Sequence, residues 1–162
     1  MPDERNLRVD VATVGDLDDL VRLETNLFNE DAGSHDALVD ISWPDRHARQ
    51  DFARLMANES ALVLVARYDE RVVGHLVGYL TGPSPTRFDR RTAEIRSLYV
   101  DASARSAGVG QELVRHFTSW ARSHAAAAIA VTAYAANHSA RTFYDKLGFT
   151  EQSVVLRAAI DQ

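Results

Sequence analysis

The chain has 162 residues, 46% of them hydrophobic and none of them cysteine, which fits one domain (1–162) with a real core and excludes a disulfide framework, thiolate metal sites and a cysteine nucleophile. A formal net charge of −5 argues against a general nucleic-acid binder and is compatible with a cationic small molecule, a basic peptide or no charged partner. Residues 1–8 are polar and lack the apolar stretch of a signal peptide, and no apolar run approaches the roughly 20 residues needed to cross a bilayer, so a soluble cytoplasmic protein with no nucleic-acid or membrane partner is expected.

Leu7 to Ala12 alternates apolar and polar, the pattern of a short half-buried strand. Thr13 is placed to cap a helix carrying Leu17, Leu20, Val21, Glu24 and Phe28 on one side, with Asp16, Asp18 and Asp19 near its start, where the helix dipole favours acids. Asn29 to Trp43 is of mixed polarity, carries Gly33 and Ser34, and reads as a loop, with a short turn of helix as the alternative. Pro44-Asp45 opens another helix, with Phe52, Leu55 and Met56 on its apolar side. Ala61 to Tyr68 and Val72 to Thr81 are apolar strands joined by a turn at residues 69–71, a hairpin. Gly82-Pro83-Ser84-Pro85 breaks the chain. Thr92 to Val100 is a further strand, and Val109 to Ser123 a helix with Leu113, Val114, Phe117 and Trp120 on one face. Ala127 to Ala133 is a strand, Ser139 to Lys146 a short helix stopped by Gly148, and Glu151 to Ala158 a last strand. The order β-α-α-β-β-β-α-β-α-β is a mixed α/β layer architecture.

The chemistry concentrates after Val100. A linker with little bulk leads into Arg105-Ser106-Ala107-Gly108-Val109-Gly110, and a long amphipathic helix follows. A helix N-terminus carries unpaired N–H groups and partial positive charge, and glycines let a ligand approach the backbone, so the segment suits phosphate oxygens, with Arg105 as added charge. The patterns G-x-x-x-x-G-K-[ST] and G-x-G-x-x-G are both absent. Taken alone, the hexapeptide is also compatible with a bare strand-to-helix turn.

This hexapeptide resembles the Q/R-x-x-G-x-G/A motif of the GNAT superfamily of N-acetyltransferases. Glu94 to Val100 is similar to the family's central strand, and Asn137 to Phe149 to its N-x-x-A-x-x-F-Y-x-x-x-G-F segment. Many members have proline where this chain has Ala102 and glycine where it has Ser106. The resemblance implies a mixed, mostly antiparallel central sheet flanked by helices and splayed at the acetyl-CoA site. It further implies acetyl transfer from acetyl-CoA, as co-substrate, to a primary amine by direct attack in a ternary complex.

By the same resemblance, the backbone of Leu98, Tyr99 and Val100 pairs with pantetheine, with an oxyanion donor at the Tyr99 or Val100 N–H. The amides of Arg105 to Gly110 cradle the pyrophosphate, and Asn137 and Ala140 belong to the cofactor side. Tyr144 matches the general acid that protonates the departing thiolate, and Glu94 is the candidate base. The bland alternatives are a core tyrosine, a turn asparagine and a salt-bridged strand glutamate. Glu30, Asp31 and Trp43, with Asp36 and Asp40 nearby, are candidate acceptor contacts, because clustered acids with an aromatic suit a polyamine or an aminoglycoside-like antibiotic; the alternative is a solvated charged loop. The six histidines show no metal-ligand spacing, so no metal is expected. A protein lysine or N-terminal acetyltransferase and a non-catalytic acyl-CoA-binding regulatory module are the other readings. A homodimer is common among similar proteins.

Overall fold

The computed structural model describes residues 6–160; part of the polar N-terminal segment, residues 1–5, lies outside the described residues. The chain divides into two compact units, Met1–Thr132 and Ala133–Gln162.

In the first unit, β1 (Leu7–Val11), β2 (Ala61–Tyr68), β3 (Arg71–Ser84), β4 (Arg90–Val100) and β5 (Ala126–Val131) form one sheet in the order β1-β2-β3-β4-β5. The first three pairings are antiparallel and β4–β5 is parallel. Thr13 caps a short 3₁₀ turn, its N–H bonded to Asp16 Oδ2 at 2.9 Å, and α1 (Leu17–Leu27) follows. A wide turn at Phe28–Ala32 leads into the one-turn helix α2 (Gly33–His35), the short turn of helix that the segment 29–43 admits. A second wide turn, Pro44–Ala48, leads into α3 (Arg49–Met56). Helix α4 (Val109–Ser123) precedes β5.

One face of the sheet packs on α1 and α3 through a buried cluster that includes Leu20, Leu23, Phe52, Val63, Val77 and Tyr99. On the other face, α4 presents Val109, Leu113 and Phe117, all buried. Gly78 permits the closest approach there. A Cβ on it would strike the Phe117 ring and lie 2.6 Å from the Glu94 carbonyl oxygen, so glycine at 78 is what lets α4 sit against β3 and β4.

Strand β3 runs three residues past its expected end at Thr81, into the expected break and through Pro83 to Ser84. Its register with β2 ends at Tyr79; the Leu80 N–H still donates to the Ser60 carbonyl at 2.8 Å, and the stretch from Thr81 on pairs with β4. A proline without an N–H is tolerated on such an edge.

The second unit holds α5 (His138–Lys146), capped by Asn137 and ended at Gly148, whose φ is +92°. The strand expected over Glu151–Ala158 is absent from the structure: residues 151–160 carry no strand, and Val154, Val155, Leu156 and Ile160 are exposed. Three consecutive apolar residues do not select one face, and a strand exists only where a ladder partner takes its backbone groups.

Candidate functional site

Two interruptions of regular pairing shape β4. The first is a β-bulge: Ser97 faces Val77 and Ile95 faces Gly78, which leaves Arg96 as the extra residue. Arg96 and Ser97 consequently both reach the α1–α3 layer. Arg96 Nη1 donates to Asp51 Oδ2 of α3 at 2.7 Å, and Ser97 Oγ donates to Glu24 Oε2 of α1 at 3.2 Å. Glu94 stands opposite Tyr79 in register. Burial, then the negative charge of Glu94, raise the Tyr79 phenol above its ordinary range.

The second interruption is the early end of β5 beside β4. Their parallel register ends at Ile95↔Val131, where β5 itself ends, while β4 continues to Val100. Which backbone groups face that open edge follows from alternation. Asp101 donates its N–H to the Val73 carbonyl at 2.8 Å. In an antiparallel ladder, hydrogen-bonded and non-bonded positions alternate, so Tyr99 and Ser97 turn their backbone groups to β3, and Leu98 and Val100 turn theirs to the opposite edge. The Val100 carbonyl indeed accepts from Arg105 Nε at 2.9 Å instead of from β3. Of the two amides expected as oxyanion donors, only that of Val100 faces the open side.

The loop beyond is built of unusual backbone. Ser106 has φ 65° and Gly108 φ 82°, both left-handed, and Gly108 caps α4 with no side-chain hydrogen bond to the first-turn N–H groups. A Cβ added to Gly108 would meet no protein atom within 4 Å. The left-handed φ at Ser106 is the physical reason a glycine suits that position in related motifs. Alternating left-handed residues before an uncapped helix start make a concave set of N–H donors with a favourable dipole. Arg105, Ser106, Ala107 and Gly108 are exposed, Gly110 is half-buried and Val109 points into the core.

Helix α1 and the turn after it hold both ends of this loop. Arg22 Nη1 donates to both oxygens of Asp101 at 2.9 and 3.1 Å, and Arg22 Nη2 donates to the Val72 carbonyl at 3.0 Å. At the other end, Arg105 Nη2 donates to Glu30 Oε2 at 2.6 Å, and the Tyr99 hydroxyl donates to Glu30 Oε1 at 2.8 Å. The Arg105 guanidinium also lies over the Tyr99 ring, 5.2 Å from its centroid. Burial and the hydrogen bond to Glu30 push the Tyr99 phenol up to about 12. Partial burial alone would raise the Glu30 carboxyl, but the hydrogen bonds from Arg105 and Tyr99 hold it below its usual range.

The acidic segment is therefore partly spent on the protein itself. Glu30 serves Arg105 and Tyr99; Asp40 accepts from Ser42 and Arg46; Asp36 accepts from the Leu38 N–H at 3.0 Å. Asp31 lies half-buried in the turn beside Glu30. Trp43 stacks on Phe28 at 5.8 Å and is followed by His47 at 5.8 Å. Trp43, His47, Gln50, Asp51 and Arg54 line a shallow depression of about 330 Å³. Asp51 joins that depression to β4 through Arg96, two residues from Glu94. Neither Asp51 nor Arg96 stands out in the sequence, because their pairing spans 45 residues.

In the second unit, Asn137 Oδ1 accepts the Ala140 N–H at 3.0 Å, so both residues take part in a helix cap. Tyr144 packs edge-on against Phe143 at 4.9 Å and Phe149 at 5.3 Å.

A family model described as the acetyltransferase (GNAT) family matches residues 22–149. The chain belongs to the GNAT acetyltransferase family. The matched residues include β4, the 105–110 loop and α5. Solved structures agree on the GNAT fold. A point mutant of the BH1408 protein from Bacillus halodurans is 25% identical with a TM-score of 0.86, covering 94% of this chain and 99% of that one. A possible acetyltransferase from Clostridium difficile 630 is 18% identical with a TM-score of 0.74, covering 96% and 98%. An aminoglycoside acetyltransferase, meta-AAC0020, from an uncultured soil metagenomic sample, in complex with sisomicin, is 19% identical with a TM-score of 0.72, covering 98% and 99%. Among curated proteins, none matches the chain significantly. Acetyltransferase activity follows from the family.

Proposed function

We propose that this GNAT domain, spanning 1–162, moves an acetyl group from acetyl-CoA to a primary amine of a small molecule, by direct attack in a ternary complex. The observation that carries the reading is the junction of β4 and α4. An open strand edge at Leu98 and Val100 runs into an uncapped helix start at Gly108, with Ser106 and Gly108 left-handed. An extended amide chain ending in a pyrophosphate fits that sequence of donors: strand-like pairing along β4, then anion binding at the α4 N-terminus.

The chemistry assigns each group one task. Glu94 takes a proton from the acceptor ammonium, directly or through a water, leaving a free lone pair. The amine nitrogen bonds to the thioester carbon, and the carbonyl electrons move to oxygen. The Val100 N–H donates to that oxyanion. Collapse breaks the C–S bond, and Tyr144 gives the sulfur its proton; the nitrogen, cationic once bonded to carbon, loses its second proton to solvent, and solvent restores the proton of Tyr144. Glu94 shares its face of the sheet with Arg96, which reaches Asp51 in the depression beside Trp43, and this supports an amine entering from the α1–α3 side.

For the acceptor, Trp43 and Asp31 supply an aromatic surface and a carboxylate, with Glu30 as a further acidic group. The aminoglycoside acetyltransferase among the structural neighbours supports a small-molecule amine, as does the mildly acidic chain. The proposal extends to a metal-free reaction in the cytoplasm, with the homodimer common among similar proteins as the expected assembly.

Calorimetric titration of CoA into wild-type protein and Gly108→Val tests the loop. The substitution forces valine to a left-handed φ and puts a branched side chain where the pyrophosphate would lie. The dissociation constant rises by about tenfold or more, the scale of a left-handed branched residue. Equal affinity in the two proteins would mean that the pyrophosphate sits elsewhere.

A further inference from the structure

The Glu30–Arg105 pair puts a carboxylate on the one cation of the loop assigned to the pyrophosphate. Arg105 is folded back by two bonds, Nε to the Val100 carbonyl at 2.9 Å and Nη2 to Glu30 Oε2 at 2.6 Å. The Glu30 carboxylate is satisfied on both oxygens, since the Tyr99 hydroxyl donates to Oε1 at 2.8 Å. Both charged side chains remain about half exposed, 46% for Arg105 and 48% for Glu30, so the pair is open to competition from a dissolved anion. Tyr99 is buried and fixed in β4, which gives Glu30 a holding point that does not depend on Arg105.

We propose that Glu30 is a built-in counter-anion that the acetyl-CoA pyrophosphate displaces from Arg105. The proposal rests on the acetyl-CoA reading of the 105–110 loop. In the empty protein, Glu30 neutralises Arg105 and pins the acceptor-side turn at residues 28–32 to the cofactor loop. A pyrophosphate at the α4 N-terminus offers Arg105 a more highly charged partner. The guanidinium turns to it, and Glu30 stays on the Tyr99 hydroxyl with one oxygen released toward the acceptor side. Donor binding thereby exposes a carboxylate for an acceptor ammonium, and linkage makes the coupling reciprocal. Glu30 acts on the donor through Arg105 and is a positioning residue for it.

A double-mutant cycle on CoA binding separates this role from a structural one. Glu30→Gln keeps the shape of the side chain and removes its charge. CoA binds Glu30→Gln about threefold more tightly than wild type, the scale of a half-exposed charge pair. In an Arg105→Gln background the same substitution leaves CoA affinity unchanged, because no guanidinium remains to be freed. Unchanged or weaker binding in Glu30→Gln would overturn the proposal, and so would an equal gain in both backgrounds. Glu30→Ala is read the same way, with circular dichroism confirming that each variant is folded. Failure of wild type to bind CoA at all would instead overturn the acetyl-CoA reading, before any variant is compared.

Discussion

Tyr99 and Tyr144 are the two phenols whose environments differ most in what they imply. Tyr99 donates to a carboxylate that holds its own charge, so burial and that bond push its phenol up to about 12. A group whose folded pKa exceeds its unfolded value adds stability that is fully present below the unfolded pKa, ordinarily about 10, and is lost as pH rises toward the folded one. Phenolate absorbance during alkaline titration therefore contains a late component from Tyr99, and Tyr99→Phe removes it. A titration of Tyr99→Phe that superimposes on the wild-type curve in this range would show that Glu30 does not hold the hydroxyl. Tyr144 is assigned a different task, to give its proton to the thiolate. In Tyr144→Phe, CoA affinity stays and turnover falls by about 10²-fold or more, the scale of general acid catalysis. Steady-state rates alongside a CoA titration check this; undiminished turnover would take the acid role from Tyr144. The sequence points to Tyr144 through a motif, but it does not reveal the Glu30 partnership, whose two ends lie 75 residues apart.

Elements with strong periodicity were legible to the residue. The strand Ala61–Tyr68 and the helix Val109–Ser123 have the bounds their apolar spacing predicts. What the spacing does not contain is the bulge at Arg96, which lets adjacent residues 96 and 97 serve the same helical layer. Nor does it mark where β4 leaves β5, since the open edge is a property of pairing and not of side-chain pattern. The run at Val154 to Leu156 failed as a strand for the converse reason: apolar content without a ladder partner. Gly78 shows how closely the elements fit. In Gly78→Ala, the added methyl meets the Phe117 ring and the Glu94 carbonyl together. Backbone at 2.6 Å has nowhere to go, so the variant loses about 1–3 kcal/mol of stability, the cost of overpacking. Denaturant unfolding with unchanged m-value and lower midpoint is the expected result; a midpoint equal to wild type would mean that α4 stands off the sheet farther than the structure has it.

At the scale of the molecule, the mixed, mostly antiparallel sheet with flanking helices is the arrangement that the order of motifs implies, and the family match over residues 22–149 agrees with it. The loop at residues 105–110 was the more legible part of the candidate site, because its left-handed turn into α4 leaves a glycine at 108 in the chain. The proposed acceptor side rests on pairings such as Asp51 with Arg96 and on stacking such as Phe28 on Trp43, and these depend on folding. Several acids that look free in the sequence are occupied by neighbouring arginines and backbone N–H groups, so the expected acidic pocket is narrower than its composition suggests. Thiol release from acetyl-CoA, measured across a panel of polyamines, aminoglycosides and lysine-containing peptides, tests the central claim most directly. The account predicts amine-dependent release with at least one small-molecule amine and a product carrying one added acetyl group. Tight CoA binding with no amine-dependent release from any member of the panel would contradict it and favour a non-catalytic acyl-CoA-binding module.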